Sequence, residues 1–183
     1  CVKEVISDME AVELHGITFS YFGDNLMLVD SNGEPLTNII LAFDVRGARE
    51  AAEDFPRRFT DEEFIRITGS TCVPFCTGPK ILWFKKYRKD LFEKAAHFYT
   101  NQQWVNQCLG LEPLNDYTMA CRKMLYDSKN REWSKPILSF LGIRAGQLGE
   151  VVPSTDMIGH IDRYGEVILP FTLPVIIGSH DCD

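Results

Sequence analysis

No apolar run in this 183-residue chain approaches the ~20 residues that a membrane-spanning helix needs. Nothing at its start resembles a secretory signal. No membrane is therefore expected among its partners, and a cytoplasmic setting follows by default. Positive charge is scarce: 19 Lys and Arg stand against 26 Asp and Glu, a formal net charge of -7. Binders of nucleic acid concentrate basic side chains on one surface, so that class of partner is excluded as the main one. A phosphorylated small ligand stays open, because its positive contacts can be local. The cluster Lys85, Lys86, Arg88, Lys89 reads as the solvated face of a helix. Metal-ligand spacing is missing as well. Cys1, Cys72, Cys76, Cys108, Cys121 and Cys182 include one pair four residues apart, with no second pair and no nearby histidine. They read as reduced thiols, and no metal is expected on them. There is no internal repeat and no low-complexity tract. With 45% apolar and 25% charged residues, disordered and fibrous classes do not fit either.

What is present is the pattern of one ordinary α/β domain, long enough to bury a core without disulfides. An amphipathic stretch opens the chain, apolar at Val2, Val5, Ile6, Met9 and Val12. The segment "HGITFSYFG" alternates as a strand and breaks at Gly23-Asp24-Asn25. "LMLVD" predicts a second strand, "SNGEP" a turn and "LTNIILAF" a third strand. From Arg46 the period becomes helical. Thr60 with Glu63 forms a capping-box signature ended by Gly69. Pro79 fits the first turn of a long helical region, and Asp90 opens a second helix there. Further helices are predicted at "NQQWVNQCLG", at "DYTMACRKMLYD" with Asp116 or Thr118 as cap, and from Ser134 to Gly142. From Val151 the pattern returns to loop and strand. The apolar segment Pro170 to Ile177 leads into a buried strand at Val175 to Ile177, Gly178 breaks it, and "SHDCD" follows. A carboxylate just past a buried strand sits where open α/β sheets hold their ligands.

In this order the pieces "GITFSYFGDNLMLVDSNGEPLTNIILAFDVRG", "TGPKILWF", "LNDYTMACRKMLYD", "REWSKPILSFLGI", "VVPSTDMIGHI" and "LPVIIGSHD" resemble the amino-terminal domain of the FGGY carbohydrate kinases, the family of glycerol kinase and xylulokinase. The resemblance covers nearly the whole chain. It implies an actin-like, ribonuclease-H-like α/β fold, a mixed sheet with a helical excursion on one side. It also implies transfer of the γ-phosphoryl group of ATP, with Mg2+, to a hydroxyl of a sugar or polyol. Residues 1–183 would be the central and C-terminal part of the sugar-binding domain, incomplete at the start. A carboxyl-terminal nucleotide-binding domain of the same protein would complete it. The family's early Asp-x-Gly-Thr phosphate and magnesium motif and its adenine-binding glycines are not among these residues. ATP and Mg2+ would then be bound mainly elsewhere. A homodimer is compatible with the resemblance.

The resemblance also assigns residues. Asp181 matches the family's catalytic base, a carboxylate that orients a sugar hydroxyl and accepts its proton. Asp24 matches a position that contacts substrate hydroxyls, and a carboxylate can accept two such bonds. The alternative for Gly23-Asp24-Asn25 is a plain hairpin turn. Gly23 stands where glycerol kinase has an arginine, which removes a donor and argues against glycerol as substrate. Asp44 and Arg46 resemble a Trp-x-Asp-x-Arg motif with Ala42 in place of the tryptophan, and they either pair with each other or address a ligand. Phe75 replaces a substrate-binding tyrosine and keeps only its ring. Lys80 belongs to a Pro-Lys motif and is expected to anchor a helix start or a carboxylate. Cys182 replaces an amide or histidine. His180 has no assigned duty, and His15, His97 and His160 are expected to be structural. A catalytically inactive sugar-binding regulator and a plain interaction domain remain as the other classes.

Overall fold

The computed structural model describes residues 14–182, so the helix expected over Val2 to Val12 lies outside the described residues. The alternating segment forms β1 (Ile17–Tyr21), and the run after the Gly23 break forms β2 (Met27–Val29). These two strands do not pair. β2 is antiparallel to β3 (His97–Tyr99), a strand inside a stretch expected to be helical. The third strand expected over "LTNIILAF" does not form; the isolated bridges of Leu26 with Ile40 and, just before the segment, Val29 with Pro35, and the Leu36 N–H donating to the Leu28 carbonyl at 2.8 Å, hold it near β2. Side chains take the bonds that a ladder would use. Thr37 Oγ1 accepts the Leu28 N–H at 3.2 Å, Asn25 Oδ1 accepts the Ala42 N–H at 3.2 Å, and Lys80 Nζ donates to the Leu41 carbonyl at 2.8 Å.

The helical excursion begins with a π-helical turn at Glu50–Asp54 that runs into α1 (Phe55–Arg58). α2 (Asp61–Thr68) opens on the capping box of Thr60 and Glu63 and ends at Gly69. α3 (Thr77–Tyr87) holds Pro79 in its first turn, where the missing N–H has no intrahelical partner to lose. It breaks at Arg88 before α4 (Lys89–Lys94). α5 (Asn101–Cys108) follows, then β4 (Asn115–Asp116), α6 (Tyr117–Arg122) with Asp116 as its cap, β5 (Tyr126–Asp127), β6 (Glu132–Trp133), α7 (Lys135–Leu141) and β7 (Val151–Val152). β4 pairs with β7 in parallel and β5 with β6 antiparallel. Most of the helices close on one core, in which Phe55, Phe59, Phe64 and Phe140 pack ring against ring at 5.2–6.5 Å between centroids, while Trp104 of α5 packs beside Met27, Val29 and Tyr99. Edge-to-face pairs of this kind add to the burial of the rings themselves.

The chain returns in a hairpin, β8 (Met157–Tyr164) and β9 (Val167–His180), and the three-stranded sheet has the order β1-β9-β8. β9 runs parallel to β1, with Ile17 opposite Val175 and Tyr21 opposite His180. Gly178 does not end this strand, contrary to the sequence pattern. It lies inside β9 as a bulge, where the register slips between Thr18 and Ser20. Its φ is +77°, and a Cβ there would stand 2.0 Å from the Phe19 carbonyl oxygen, so only glycine fits. No helix among the described residues is long and apolar enough to cross a membrane.

Lys123, fully buried just past α6, ties three separate segments. Its Nζ donates to the Phe98 carbonyl at 3.0 Å, to Gln103 Oε1 at 2.9 Å and to the Leu148 carbonyl at 3.4 Å. Three acceptors match the three N–H bonds of an ammonium, while burial pushes its pKa down to about 7. Above that pH the folded chain holds one proton fewer than the unfolded chain, whose lysines titrate near ~10.4. Stability therefore rises with pH from about 7 toward the unfolded value, and below about 7 this contribution is flat. We expect the urea midpoint to rise between pH 6.5 and 8.5 by the equivalent of about 1–2 kcal/mol. Lys123→Met should flatten that rise; an unchanged pH profile in the variant would show that the amine does not titrate there.

Candidate active site

Because β1 and β9 are parallel neighbours, the chain leaves both at the same edge of the sheet. The loop after β1 carries Phe22, Gly23 and Asp24, and the turn after β9 carries Asp181 and Cys182. Together they line a cavity of about 410 Å³, closed by Ala42, Phe43 and Val45, by Phe75, by Arg122 at the end of α6, and by His180. Four of the sequence-predicted residues, Gly23, Asp24, Phe75 and Asp181, are thus brought together. A larger depression of about 780 Å³ lies between the β5–β6 hairpin and α7, and none of the predicted residues lines it.

Asp24 is 5% exposed and has a left-handed backbone, φ +61°, which is uncommon for a residue with a Cβ. Three contacts hold it so. Lys80 Nζ donates to its carbonyl at 2.9 Å, and Arg122 donates to its Oδ2 through Nε at 3.1 Å and also through Nη2. The neighbouring Asn25 side chain closes the loop by donating to the Phe22 carbonyl at 2.8 Å. Asp24 Oδ1 remains: it is buried and has no hydrogen-bond partner. Lys80 is therefore an anchor of backbone carbonyls, those of Asp24 and Leu41, rather than of a carboxylate. Burial lowers its pKa against the opposing pull of Asp24 and Asp44. Burial would lower the Arg122 pKa too, but the Asp24 hydrogen bond and charge outweigh it and the shift is upward. Cys76 is buried nearby, and burial, reinforced by the Asp24 charge, pushes its thiol up.

The end of β9 is pinned by a relay of polar groups. The His180 backbone N–H donates to Thr118 Oγ1 at 2.8 Å, and that hydroxyl donates to Asp116 Oδ2 at 2.7 Å. Ser154 Oγ donates to the same Asp116 oxygen at 2.8 Å. Gln102 Nε2 donates to Asp116 Oδ1 at 3.1 Å. Asp181 in turn donates its N–H to the Tyr21 carbonyl at 2.9 Å. The His180 ring accepts the Cys182 N–H on Nδ1 at 3.4 Å, so in the neutral ring the proton is on Nε2, which faces Asp181 Oδ1 at 3.1 Å. The Asp181 side chain is 38% exposed and stays open to a ligand in the cavity.

Gly23 lines the cavity and also packs against His180. A Cβ there would fall 2.6 Å from Cδ2 and Nε2 of His180, so the glycine makes room for the ring that orients Asp181. Asp44 and Arg46 are not brought into the cavity. They line a second depression of about 490 Å³ and pair with each other in a two-pronged contact, Nε to Oδ1 at 2.9 Å and Nη2 to Oδ2 at 2.6 Å. The guanidinium lies 4.9 Å from the Trp83 ring centre, and its hydrogen bond holds the Asp44 carboxyl below the usual carboxylate range. Of the two alternatives open for this pair in the sequence, mutual pairing is the one its geometry displays. His180, Asp181 and Cys182 have ligand atoms within 4.8 Å of one another, but the imidazole is already engaged with its two neighbours. A magnesium ion prefers several oxygens, and only Asp181 of these three offers them. Sequence reasoning missed Arg122 and the Thr118–Asp116 relay. Arg122 is 98 positions from Asp24, and its one signal is the general rule that a buried carboxylate needs a cation.

Comparison with known proteins places the site in context. The model of the FGGY family of carbohydrate kinases, N-terminal domain, matches residues 1–183. The chain is 25% identical over 190 residues to an autoinducer-2 kinase of Salmonella choleraesuis, covering 99% of this chain and 35% of that protein. It is 26% identical over 183 residues to the L-fuculokinase of Escherichia coli K12, covering 99% and 39%. It thus spans little more than a third of these curated relatives. A ligand-bound xylulose kinase structure from Lactobacillus acidophilus superposes with a TM-score of 0.88 at 23% identity, over 97% of this chain and 36% of the other. The fold is the actin-like one expected.

The packing of Gly23 on His180 makes a direct test of this geometry. Gly23→Ala should cost about 1–3 kcal/mol in urea denaturation, the usual range for an added methyl with no space. The double variant with His180→Ala should recover most of that loss, because the clash is between these two side chains. Additive losses would show that the two residues are not in contact.

Proposed function

The chain belongs to the FGGY family of carbohydrate kinases, as an N-terminal domain, and from that premise we propose that it supplies the acceptor site of an ATP-dependent kinase for a small sugar or polyol. One observation carries this reading: Asp24 and Asp181, remote in the chain, line one cavity of about 410 Å³. That volume suits a molecule of a few hydroxylated carbons. The names of the similar proteins, autoinducer-2 kinase and L-fuculokinase, point to small hydroxylated acceptors as well.

In this reading Asp24 Oδ1, buried and unpartnered, accepts a hydrogen bond from a substrate hydroxyl. Arg122 holds that carboxylate in place. Asp181 accepts a hydrogen bond from the hydroxyl to be phosphorylated and takes its proton as the oxygen bonds to the γ-phosphorus and ADP leaves. The Nε2–H of His180 fixes which oxygen of Asp181 faces the substrate. Residues 1–183 act as the central and C-terminal part of the sugar-binding domain. ATP and Mg2+ are assigned mainly to other parts of the protein, because the Asp-x-Gly-Thr motif that the resemblance ties to phosphate and magnesium is not among residues 1–183. Asp44 and Arg46 support the loop that forms the cavity's rim instead of touching substrate.

In the full-length protein, Asp181→Asn is expected to lower kcat about 10²- to 10⁴-fold, the usual worth of a general base. Sugar affinity should change far less. Turnover at the wild-type rate would remove Asp181 from the role of base.

A further inference from the structure

The two halves of the cavity differ in chemistry. Its polar groups gather around Gly23: a Cβ there would touch the His180 ring at 2.6 Å and Arg122 Cγ at 3.3 Å, and these two side chains carry Asp181 and Asp24. Cys182 lines the cavity beside Asp181, and the rest of the wall is Phe22, Ala42, Phe43, Val45 and Phe75, none of which has a side-chain donor or acceptor. Some of its backbone is engaged within the protein. The Ala42 N–H is taken by Asn25, the Leu41 carbonyl by Lys80 and the Val45 carbonyl by the Ala48 N–H. Of the nine large apolar side chains exposed among the described residues, four line this cavity, and Phe43, at 80%, is the most exposed of all nine. The Phe22 and Phe43 rings lie 5.5 Å apart and form one continuous apolar surface.

Resting on the sugar-kinase reading of this site, we infer that the preferred substrate is a terminally deoxygenated sugar or polyol. Adjacent hydroxyls at one end meet Asp24 and Asp181, and a methyl or other unsubstituted carbon at the other end lies on the phenylalanine wall. A hydroxyl covered against that wall finds no side-chain partner there, whereas a methyl gains by burial. A buried unpaired hydroxyl lowers affinity on the order of ten- to a hundredfold.

The test is calorimetric binding to the full-length protein, without nucleotide, of two matched pairs: L-fuculose against L-tagatose, and 1-deoxy-D-xylulose against D-xylulose. Within each pair the sugars differ by one hydroxyl. The deoxy member of at least one pair is expected to bind tenfold tighter or more. Phe75→Tyr, which returns a hydroxyl to the wall, is expected to narrow that ratio at least threefold. Equal affinity in both pairs, tighter binding of the hydroxylated members, or no binding of any of the four overturns the inference. ATP consumption is measured separately on the same sugars. A deoxy sugar that binds tenfold tighter but is not phosphorylated leaves this specificity standing and defeats the kinase reading.

Discussion

The parallel pairing of β1 with β9 is the constraint on which the rest of this molecule depends. Two parallel neighbours send their following loops out at one edge, so Asp24 and Asp181 face one cavity although most of the chain lies between them. The pairing reaches that edge only because β9 carries an extra residue at Gly178. That bulge sets Tyr21 opposite His180, and the Asp181 N–H then caps the Tyr21 carbonyl at 2.9 Å. A side chain at position 178 would meet the Phe19 carbonyl and push the two strand ends apart.

Around this edge the protein spends buried charge on backbone and loop geometry. Lys80 holds two carbonyls, those of Asp24 and Leu41, and so shapes both the loop after β1 and the segment that fails to become a strand. Lys123 does the same for β3, α5 and the segment before β7. Asp116 caps α6 and, through Thr118, fixes the end of β9. A buried polar group is costly unless satisfied, and a satisfied network specifies one arrangement of the segments it joins. The single exception in the cavity, Asp24 Oδ1, has no internal partner.

The elements legible in the sequence are those whose signals are local. The Thr60–Glu63 capping box, Pro79 in a first turn, Asp116 as a cap and Gly142 as a stop all have their partners within a few residues. The strands fared differently. "LTNIILAF" has strand-like composition, but the side chains of Asn25 and Lys80 take its Ala42 N–H and Leu41 carbonyl, and its own Thr37 hydroxyl accepts the Leu28 N–H. "HFY" reads as the tail of a helix but pairs with β2. Whether a segment becomes a strand depends on which neighbour offers free backbone groups, and that neighbour is remote in sequence.

By itself, the sequence determined the order of helices, the apolar strand before the terminal aspartate and, through its resemblance to a family, the residue types at 24, 75 and 181. Only the tertiary structure decided that Asp44 and Arg46 pair with each other, that Gly23 packs against the His180 ring, and that Arg122 is the cation beside Asp24. The physical reason is range. A cap or a periodic face is a relation among residues a few positions apart, whereas a buried charge finds its partner, and a glycine its crowding neighbour, only when the sheet has brought distant segments together.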